Sequence, residues 1–296
     1  MLLTTSTGRI GSLFGDLKAI EMIKNAGFEA IDADLDYWDD AGYFQEDYIA
    51  RAREMRKKAD ELNIPFVQAH APFNLSMKDG EEANYKNTFD VAVKSIECCE
   101  ILGVEILIVH PLQFREYYPN KEFLKDLNMK FYTALLPYCQ KHGVKIACEN
   151  MWRHDPHNKH IIDSVCSDPD EFNNYIDMVN SEYLVACLDL GHCGLTNRDA
   201  AYCIRKMGGE RIKALHIHDN DFVHDNHTMP MMGKMDWDSI TKALADINYS
   251  GNFTLESDGF LSGFGKDENL LLEALKLKAA VSRKLMKDIC DYQPKK

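Results

Sequence analysis

Histidines and carboxylates are concentrated in one short stretch in the last third of the sequence. Four of the 11 histidines fall between His216 and His227, in the segment HIHDNDFVHDNH. Imidazole and carboxylate groups at such short spacing can bind a divalent metal or transfer protons. The segment follows an apolar run beginning at Ile212. That run predicts a strand, which would place these side chains at its carboxyl end.

Polar residues also close other short apolar runs along the chain. They are His70 in QAHAPF, His110 in IVHP, Glu149 in CEN, Asp189 in LDLGH and Glu256 in LES, with His192 one turn after Asp189 and Asp225 and His227 in the loop beyond His216. Taken singly, each could be a turn or capping residue. Titratable residues at matching positions of successive strands instead indicate one shared site, because buried charges are costly unless they are paired or bound to metal.

The elements that must position these residues alternate regularly. Apolar runs predict strands over 1–5, 30–35, 65–71, 105–111, 145–150, 184–190, 211–216 and 252–257. Helical patterns cover 16–26, 48–62, 82–102, 122–142, 168–179, 200–207, 237–247 and 268–290, and 152–160 is predicted as a loop. A doubly wound sheet would require a GxGxxG turn, which is missing. We therefore predict an α/β fold in a single domain over residues 1–296: a (β/α)₈ TIM barrel with parallel strands, whose ends meet at one face.

The composition and net charge of the chain argue against some classes of binding partner. The 296-residue chain has 34 basic and 47 acidic residues, a formal net charge of −13. A diffuse negative field argues against nucleic acid and anionic membranes as partners. The nine cysteines form no CxxC pair, and the N-terminus has no basic, apolar leader. These features predict a cytoplasmic protein with reduced cysteines and no membrane span.

One group of these residues has the composition of a metal site. Glu149, Asp189, His216 and Glu256 supply three carboxylates and one imidazole, a set that suits one Mn²⁺, Mg²⁺, Co²⁺ or Zn²⁺ ion with open positions for substrate oxygens. It is too rich in oxygen for a closed structural zinc site. His218 is an alternative to His216 as the imidazole ligand, and we favour His216.

In these motifs and their order the sequence resembles the xylose-isomerase-like TIM barrels, which include sugar isomerases and epimerases and the related endonuclease IV. The resemblance covers nearly the whole chain and implies that Glu149, Asp189, His216 and Glu256 bind one divalent metal. It also implies that Glu149 and Glu256 exchange the substrate proton and that His192 contacts substrate oxygens. The loop after the seventh strand departs from the common PGxG pattern, with PMMG from Pro230 to Gly233.

The predicted function is a divalent-metal-dependent sugar isomerase or epimerase. One catalytic glutamate, Glu149 or Glu256, would take the proton next to a carbonyl, through a metal-stabilised enediolate, and the other would return it. The remaining candidates would contact the sugar or keto-sugar: His70, His110, Trp152, His192, His218, Asp225 and His227. Phe73 and Phe260 could cover its apolar face. The methionines of the loop after the predicted seventh strand could pack against a partner subunit, which would fit a homo-oligomer.

Three other functions remain open from the sequence. A lyase or dehydratase acting on keto-sugars or keto-inositols, including 3-keto-glycoside cleavage, would use the same metal and bases. An endonuclease IV-like enzyme for abasic DNA would use His70, His110, His192, Asp225 and His227 for further zinc ions, as the resemblance implies. The acidic composition and the lack of a basic cluster in the strand-end loops argue against that function. A non-catalytic binding barrel would leave the ligand set without a purpose.

Overall fold

Parallel strands form the centre of the protein. The computed structural model describes residues 1–40, 42–73 and 80–293. Within these residues, ten strands are present: β1 (Leu3–Ser6), β2 (Ala30–Asp34), β3 (Phe66–His70), β4 (Ile106–Ile108), β5 (Lys145–Glu149), β6 (Trp152–His154), β7 (Ile161–Asp163), β8 (Leu184–Asp189), β9 (Ile212–His216) and β10 (Phe253–Leu255). The sheet runs β10-β1-β2-β3-β4-β5-β8-β9 and all its pairs are parallel.

The two ends of this sheet meet. The Ile217 amide donates to the Thr254 carbonyl at 3.0 Å, and the Glu256 amide donates to the Ile217 carbonyl at 3.1 Å. These bonds join the end of β9 to β10 and complete an eight-stranded (β/α)₈ barrel, as predicted. The junction lies just beyond His216, so it also fixes the position of Glu256 relative to the last residue of β9.

Helices surround the strands. In the described residues they are α1 (Gly8–Phe14), α2 (Asp16–Asn25), α3 (Asp36–Asp40), α4 (Tyr48–Glu61), α5 (Glu81–Leu102), α6 (Lys121–His142), α7 (Pro169–Val179), α8 (Leu190–Leu195), α9 (Ala200–Met207), α10 (Trp237–Asp246), α11 (Asp258–Ser262) and α12 (Glu268–Tyr292). Short 3₁₀ turns cover Tyr43–Gln45 and Tyr118–Asn120. None of the helices in the described part of the chain is long and apolar enough to span a bilayer.

Local sequence signals explain where several helices begin and end. The Asp168 carboxylate accepts from the amides of Asp170 and Glu171, and Pro169 occupies the first helical position of α7. Gly103 and Gly143 end α5 and α6 in the left-handed conformation, which glycine adopts without steric cost. The predicted bounds of these helices therefore agree closely with the observed ones.

The main core lies between the strands and the helices. A smaller group fills the barrel interior below the strand ends: Ile108, Ala147, Val185, Cys187 and Ala214. Eight of the nine cysteines are buried, as expected for small apolar side chains, whereas Cys290 is exposed. This packing makes the barrel a rigid support for the residues that follow its strands.

The structure adds elements that the sequence pattern did not predict. Strands β6 and β7 pair as an antiparallel hairpin in and beyond the segment predicted as a loop. Arg198 binds the Asp163 carboxylate through two nitrogens, at 2.5 and 3.2 Å, and ties the end of this hairpin to the segment before α9. Short helices α1, α3, α8 and α11 follow β1, β2, β8 and β10 directly. All these additions lie near the carboxyl ends of the strands, where they shape the rim.

Candidate metal centre and active site

The strand ends place the candidate residues on one face of the barrel. His70, Glu149, Asp189 and His216 are each the last residue of their strands, β3, β5, β8 and β9. His110 lies two residues after β4, and Glu256 lies one residue after β10. Because the strands are parallel, all these residues point to the same rim.

One imidazole lies between two glutamates at the centre of this rim. The Nδ1 atom of His216 is 3.2 Å from Glu149 Oε1 and 3.3 Å from Glu256 Oε2. Ligand atoms of Glu149, Asp189, His216 and Glu256 all lie within 4.8 Å of one another. The structure therefore brings together the four residues predicted as metal ligands, which we call the central group.

Three of the four residues of the central group are strongly buried, and the charges of the group influence one another. Glu149, Asp189 and His216 are at most 1% exposed. Burial opposes ionisation of Glu149, but the charges of His216 and His110 outweigh it and hold the pKa of Glu149 well below its usual value. Burial also disfavours charged His216, yet Cys187, Glu256 and Glu149 raise its pKa well above the usual value. The carboxylates thus require a positive charge close by.

Several buried polar atoms in this region make no hydrogen bond within the described residues. They are Glu149 Oε2, both ring nitrogens of His216, His218 Nδ1 and Asp225 Oδ1. A buried polar atom without a partner is costly and needs an explanation. Clustered carboxylate oxygens and imidazole nitrogens of this kind fit a divalent cation, which would satisfy them together.

His70 and His110 lie beside Glu149. The Nε2 atoms of the two histidines are 3.1 Å apart, and they lie 3.8 and 3.2 Å, respectively, from Glu149 Oε2. His70 Nδ1 donates to the Ala71 carbonyl at 2.8 Å, which fixes the orientation of its ring. Burial lowers the pKa of His110. Burial also opposes charge on His70, but the nearby Glu149 carboxylate outweighs it and raises the pKa of His70 to about 9.

A second cluster lies on the other side of Asp189. Ligand atoms of His192, His218, Asp225 and His227 lie within 4.8 Å of one another. His227 Nε2 is 3.1 Å from Asp225 Oδ2, and His192 Nε2 is 3.6 Å from the same oxygen. Burial lowers the pKa of His192 and His227, but neighbouring carboxylates, among them Asp189 and Asp225, outweigh it and raise both to about 10.

His216 and His218 occupy different parts of the site. His218 Nε2 lies 3.1 Å from Asp189 Oδ2, and its ring stacks on His227 with the centroids 3.9 Å apart. His216 alone of the two lies between Glu149 and Glu256. The geometry therefore assigns His216 to the central group and His218 to the second cluster, with Asp189 in contact with both.

A cavity of about 230 Å³ opens above these groups. It is smaller than the ~300–1,000 Å³ pockets of drug-sized ligands, and it suits a small molecule. Its described lining residues are Phe73, His110, Pro111, Gln113, Glu149, Met151, Trp152, His192, Asp225, His227 and Glu256. Trp152 donates its indole N–H to Asp225 at 3.1 Å, so its ring is held as a wall of the cavity. Phe260, expected with Phe73 to cover the sugar, does not line it and packs on Phe264.

The cavity also contains residues that the sequence interpretation missed. Gln113 and Met151 belong to its wall, in the loops after β4 and β5. Their positions in the sequence could have indicated this: Gln113 lies three residues after His110 and Met151 two residues after Glu149, in loops predicted to reach the rim. Asp219 of the HIHD motif, in contrast, accepts from Trp237 Nε1 at 2.7 Å and from the amides of Met231 and Met235, so it holds the loop after β9 in place.

Comparison with known proteins assigns the chain to a family. Residues 20–278 match the family model of the xylose isomerase-like TIM barrel. This match covers most of the chain, and the chain belongs to that family.

Curated relatives of this chain include both sugar epimerases and endonucleases. The D-psicose 3-epimerase of Enterocloster bolteae is 24% identical over 82% of this chain and 77% of that protein. The probable endonuclease 4 of Metamycoplasma arthritidis is 24% identical over 61% of this chain. The match spans only 56% of that endonuclease and 59% of an uncharacterised Sinorhizobium fredii protein that is 25% identical over 66% of this chain.

Solved structures support the fold. The crystal structure of a D-tagatose 3-epimerase-like protein superimposes with a TM-score of 0.74 at 20% identity, covering 98% of this chain and 97% of that chain. At this identity the likeness concerns the barrel architecture.

Proposed function

We propose that this protein is a divalent-metal-dependent sugar isomerase or epimerase that moves a proton next to a carbonyl carbon. The observation that carries the proposal is the position of Glu149 and Glu256 on either side of His216 Nδ1, at 3.2 and 3.3 Å, below a small cavity. Two carboxylates that reach one small-molecule site are the groups needed to remove and return a proton.

The central group would hold the metal. Glu149, Asp189 and Glu256 offer carboxylate oxygens and His216 offers Nδ1, a mixed oxygen and nitrogen set that suits Mn²⁺, Mg²⁺, Co²⁺ or Zn²⁺. When bound, such an ion polarises the carbonyl and hydroxyl oxygens of a sugar and stabilises the negative charge that develops when the neighbouring proton leaves. Glu256 has a side chain 24% exposed and lines the cavity, so it can reach a substrate carbon while Glu149 remains buried.

The other residues would bind and orient the sugar. His110, His192 and His227 line the cavity and can donate to or accept from hydroxyl groups. His70 and His218 lie behind them, where they would fix His110 and Asp189. The Trp152 indole and the Phe73 ring would cover the apolar face of the sugar, because aromatic walls bury C–H groups well.

The test combines elemental analysis with isotope exchange. The purified protein is expected to contain one divalent metal per chain and to incorporate deuterium from D₂O at the carbon next to the carbonyl of a ketohexose or keto-sugar. Product analysis then separates isomerisation or epimerisation from elimination by a lyase. A metal-loaded protein that exchanges no proton in any sugar of the panel would overturn the proposal.

A second candidate rests on the number of ligand clusters. The described residues contain five overlapping groups of candidate ligands, and three of them adjoin one another along the rim: His70, His110 and Glu149; the central group; and His192, His218, Asp225 and His227. Three neighbouring metal sites would suit phosphodiester hydrolysis of the endonuclease type. The cavity lining, however, includes no lysine or arginine among its described residues, which is unfavourable for a phosphate backbone. Three zinc ions per chain together with incision of abasic DNA would establish this second candidate instead.

A further inference from the structure

Gln113 occupies a fixed place in the cavity wall. Its backbone follows Leu112, whose amide donates to Asn128 Oδ1 at 2.7 Å and whose carbonyl accepts from Asn128 Nδ2 at 3.0 Å. Asn128 is fully buried on α6 and also donates to the Leu124 carbonyl. The loop that carries Gln113 is therefore held against a helix by a buried amide, which limits its motion.

The side chain of Gln113 is held as well. The hydroxyl of Ser164, which is fully buried, donates to Gln113 Oε1. The carbonyl of Ser164 accepts from the amide and the hydroxyl of Ser167, at 3.2 and 2.8 Å, so that Ser164 is itself immobilised. With Oε1 engaged by Ser164, Nε2 is the atom of Gln113 that remains for a ligand, and it can only donate.

The other polar side chains around the cavity are titratable, whereas that of Gln113 is neutral. They are carboxylates and imidazoles: Glu149, Asp225, Glu256, His110, His192 and His227. Among the described lining residues, Gln113 supplies the one carboxamide, and neither lysine nor arginine is present. A phosphate or carboxylate group on a ligand would enter beside three carboxylates, and no lysine or arginine of the described lining could pair with it, which is unfavourable in a buried site.

We propose that Gln113 is a specificity-determining residue that donates a hydrogen bond to a hydroxyl oxygen of an uncharged sugar, and that the site rejects phosphorylated and carboxylated sugars. This inference rests on the proposed function, and it assigns the substrate class. Ser164 is a positioning residue, because it acts through Gln113. An immobilised amide donor binds a neutral oxygen at little entropic cost, which favours recognition of a polyol.

The experiment compares variants of the full-length, metal-loaded protein on matched pairs of substrates. Each free ketohexose and its 6-phosphate ester is assayed for proton exchange in D₂O with wild type, Q113M, Q113K, S164A and the surface control Q140M. Met has nearly the shape of Gln but no amide, and Gln140 lies exposed on α6. Metal content and the dissociation constant for Mn²⁺ are measured for every variant, so that damage to the metal site is detected separately.

The expected result is a change in KM and in substrate preference with metal binding unaltered. Q113M should raise KM for the free ketose about tenfold, the effect of one lost hydrogen bond, with kcat within about twofold of wild type. S164A should raise KM for the free ketose by a smaller factor, and Q140M should behave as wild type. Q113K should reduce the ratio of kcat/KM for the free ketose to kcat/KM for its phosphate ester.

Two outcomes would overturn the inference and leave the proposed function standing. One is a wild-type preference for the phosphate ester, and the other is an unchanged KM in both Q113M and S164A while the ketose is still turned over. Absence of proton exchange with every sugar, free or phosphorylated, in a protein that binds its metal would instead overturn the proposed function and this inference together.

Discussion

The Glu149 carboxylate lies 3.2 Å from His216 Nδ1, although the two residues are 67 positions apart in the sequence. Both are the last residues of their strands, and neither is more than 1% exposed. A buried carboxylate and imidazole in direct contact, with Asp189 and Glu256 beside them, form a site whose charges must be balanced. A proton on His216 can balance them in part, and a divalent metal can do so more completely.

Replacing His216 and His218 by asparagine, one at a time, should distinguish their roles in metal binding. H216N is expected to lower the affinity for a divalent metal by about 100-fold or more, because it removes a ligand of the central group. H218N should lower it by only about tenfold, the effect typical of a residue that orients a ligand, here Asp189. Calorimetric titration with Mn²⁺ measures both values. Equal losses, or a larger loss in H218N, would contradict the assignment of His216.

Removal of the charge from Glu256 should stop the chemistry and leave the fold intact. Glu256 is partly exposed to the cavity, so E256Q changes little packing, and its thermal midpoint should stay within about 4 °C of wild type. Proton exchange with a ketose should fall by about 10³-fold or more, because the amide cannot accept a proton. E182Q, on an exposed loop residue, serves as the matched control. Exchange near the wild-type rate in E256Q would exclude its role as a base.

The stability of the metal-free protein should depend on pH. The pKa values of His192 and His227 are raised to about 10 from 6.5, so protonation of these residues stabilises the fold below pH 6.5. This contribution is lost as the pH rises through 10. The metal-free protein should therefore lose roughly 5 °C or more in its thermal midpoint between pH 6.5 and 10. A divalent ion on the central group neutralises Asp189, one of the carboxylates that favour protonation of His192 and His227, and should therefore reduce this dependence.

The thermal midpoint of EDTA-treated and metal-loaded samples at matched pH values checks this expectation. Titration with metal near pH 7 should also release protons, and its apparent affinity should increase with pH. A metal-free protein that becomes more stable between pH 6.5 and 10 would be inconsistent with histidines held protonated by carboxylates.

A buried lysine behind the rim offers a test of stability. Lys278 on α12 is fully buried, donates to Thr5 Oγ1 at 3.2 Å and lies 3.8 Å from Asp258. Burial lowers its pKa to about 8 although Asp258 and Glu256 act in the opposite direction. K278M should change the free energy of unfolding by less than about 1 kcal/mol, because the Asp258 carboxylate left behind is 25% exposed and still accepts from the Arg9 amide.

Removal of the Asp258 carboxylate should lower the free energy of unfolding more than removal of Lys278. D258N leaves Lys278 buried without its carboxylate, and the free energy of unfolding should fall by about 2 kcal/mol or more. K276M, on the exposed face of α12, should have almost no effect. Urea denaturation of the metal-free variants gives these values; a K278M variant less stable than D258N would reverse the argument.

The sequence predicted the barrel because its signals repeat. The strands that carry the site lie in short, largely apolar runs, and in a parallel barrel such runs must end at one face. His70, Glu149, Asp189 and His216 could therefore be placed together without coordinates. Sequence alone favours His216 over His218 as the ligand without deciding between them, because the choice depends on how the chain turns after β9.

Other parts of the site depend on contacts that leave no local pattern. The β6–β7 hairpin consists of two three-residue strands with polar side chains such as Arg153 and His154, which give no clear alternation. Gln113 reaches the cavity because Asn128 and Ser164 hold it there, and both lie far from it in the chain. Loop conformations fixed by distant partners are therefore the component that sequence periodicity does not predict.

The most direct test of the account is anomalous diffraction from crystals of the protein loaded with Mn²⁺ or Zn²⁺. The account predicts an ion bound jointly by Glu149, Asp189, His216 and Glu256, at about 2.0–2.2 Å from the ligand atoms. An ion bound elsewhere, with Glu149 and Glu256 on no common metal, would contradict it.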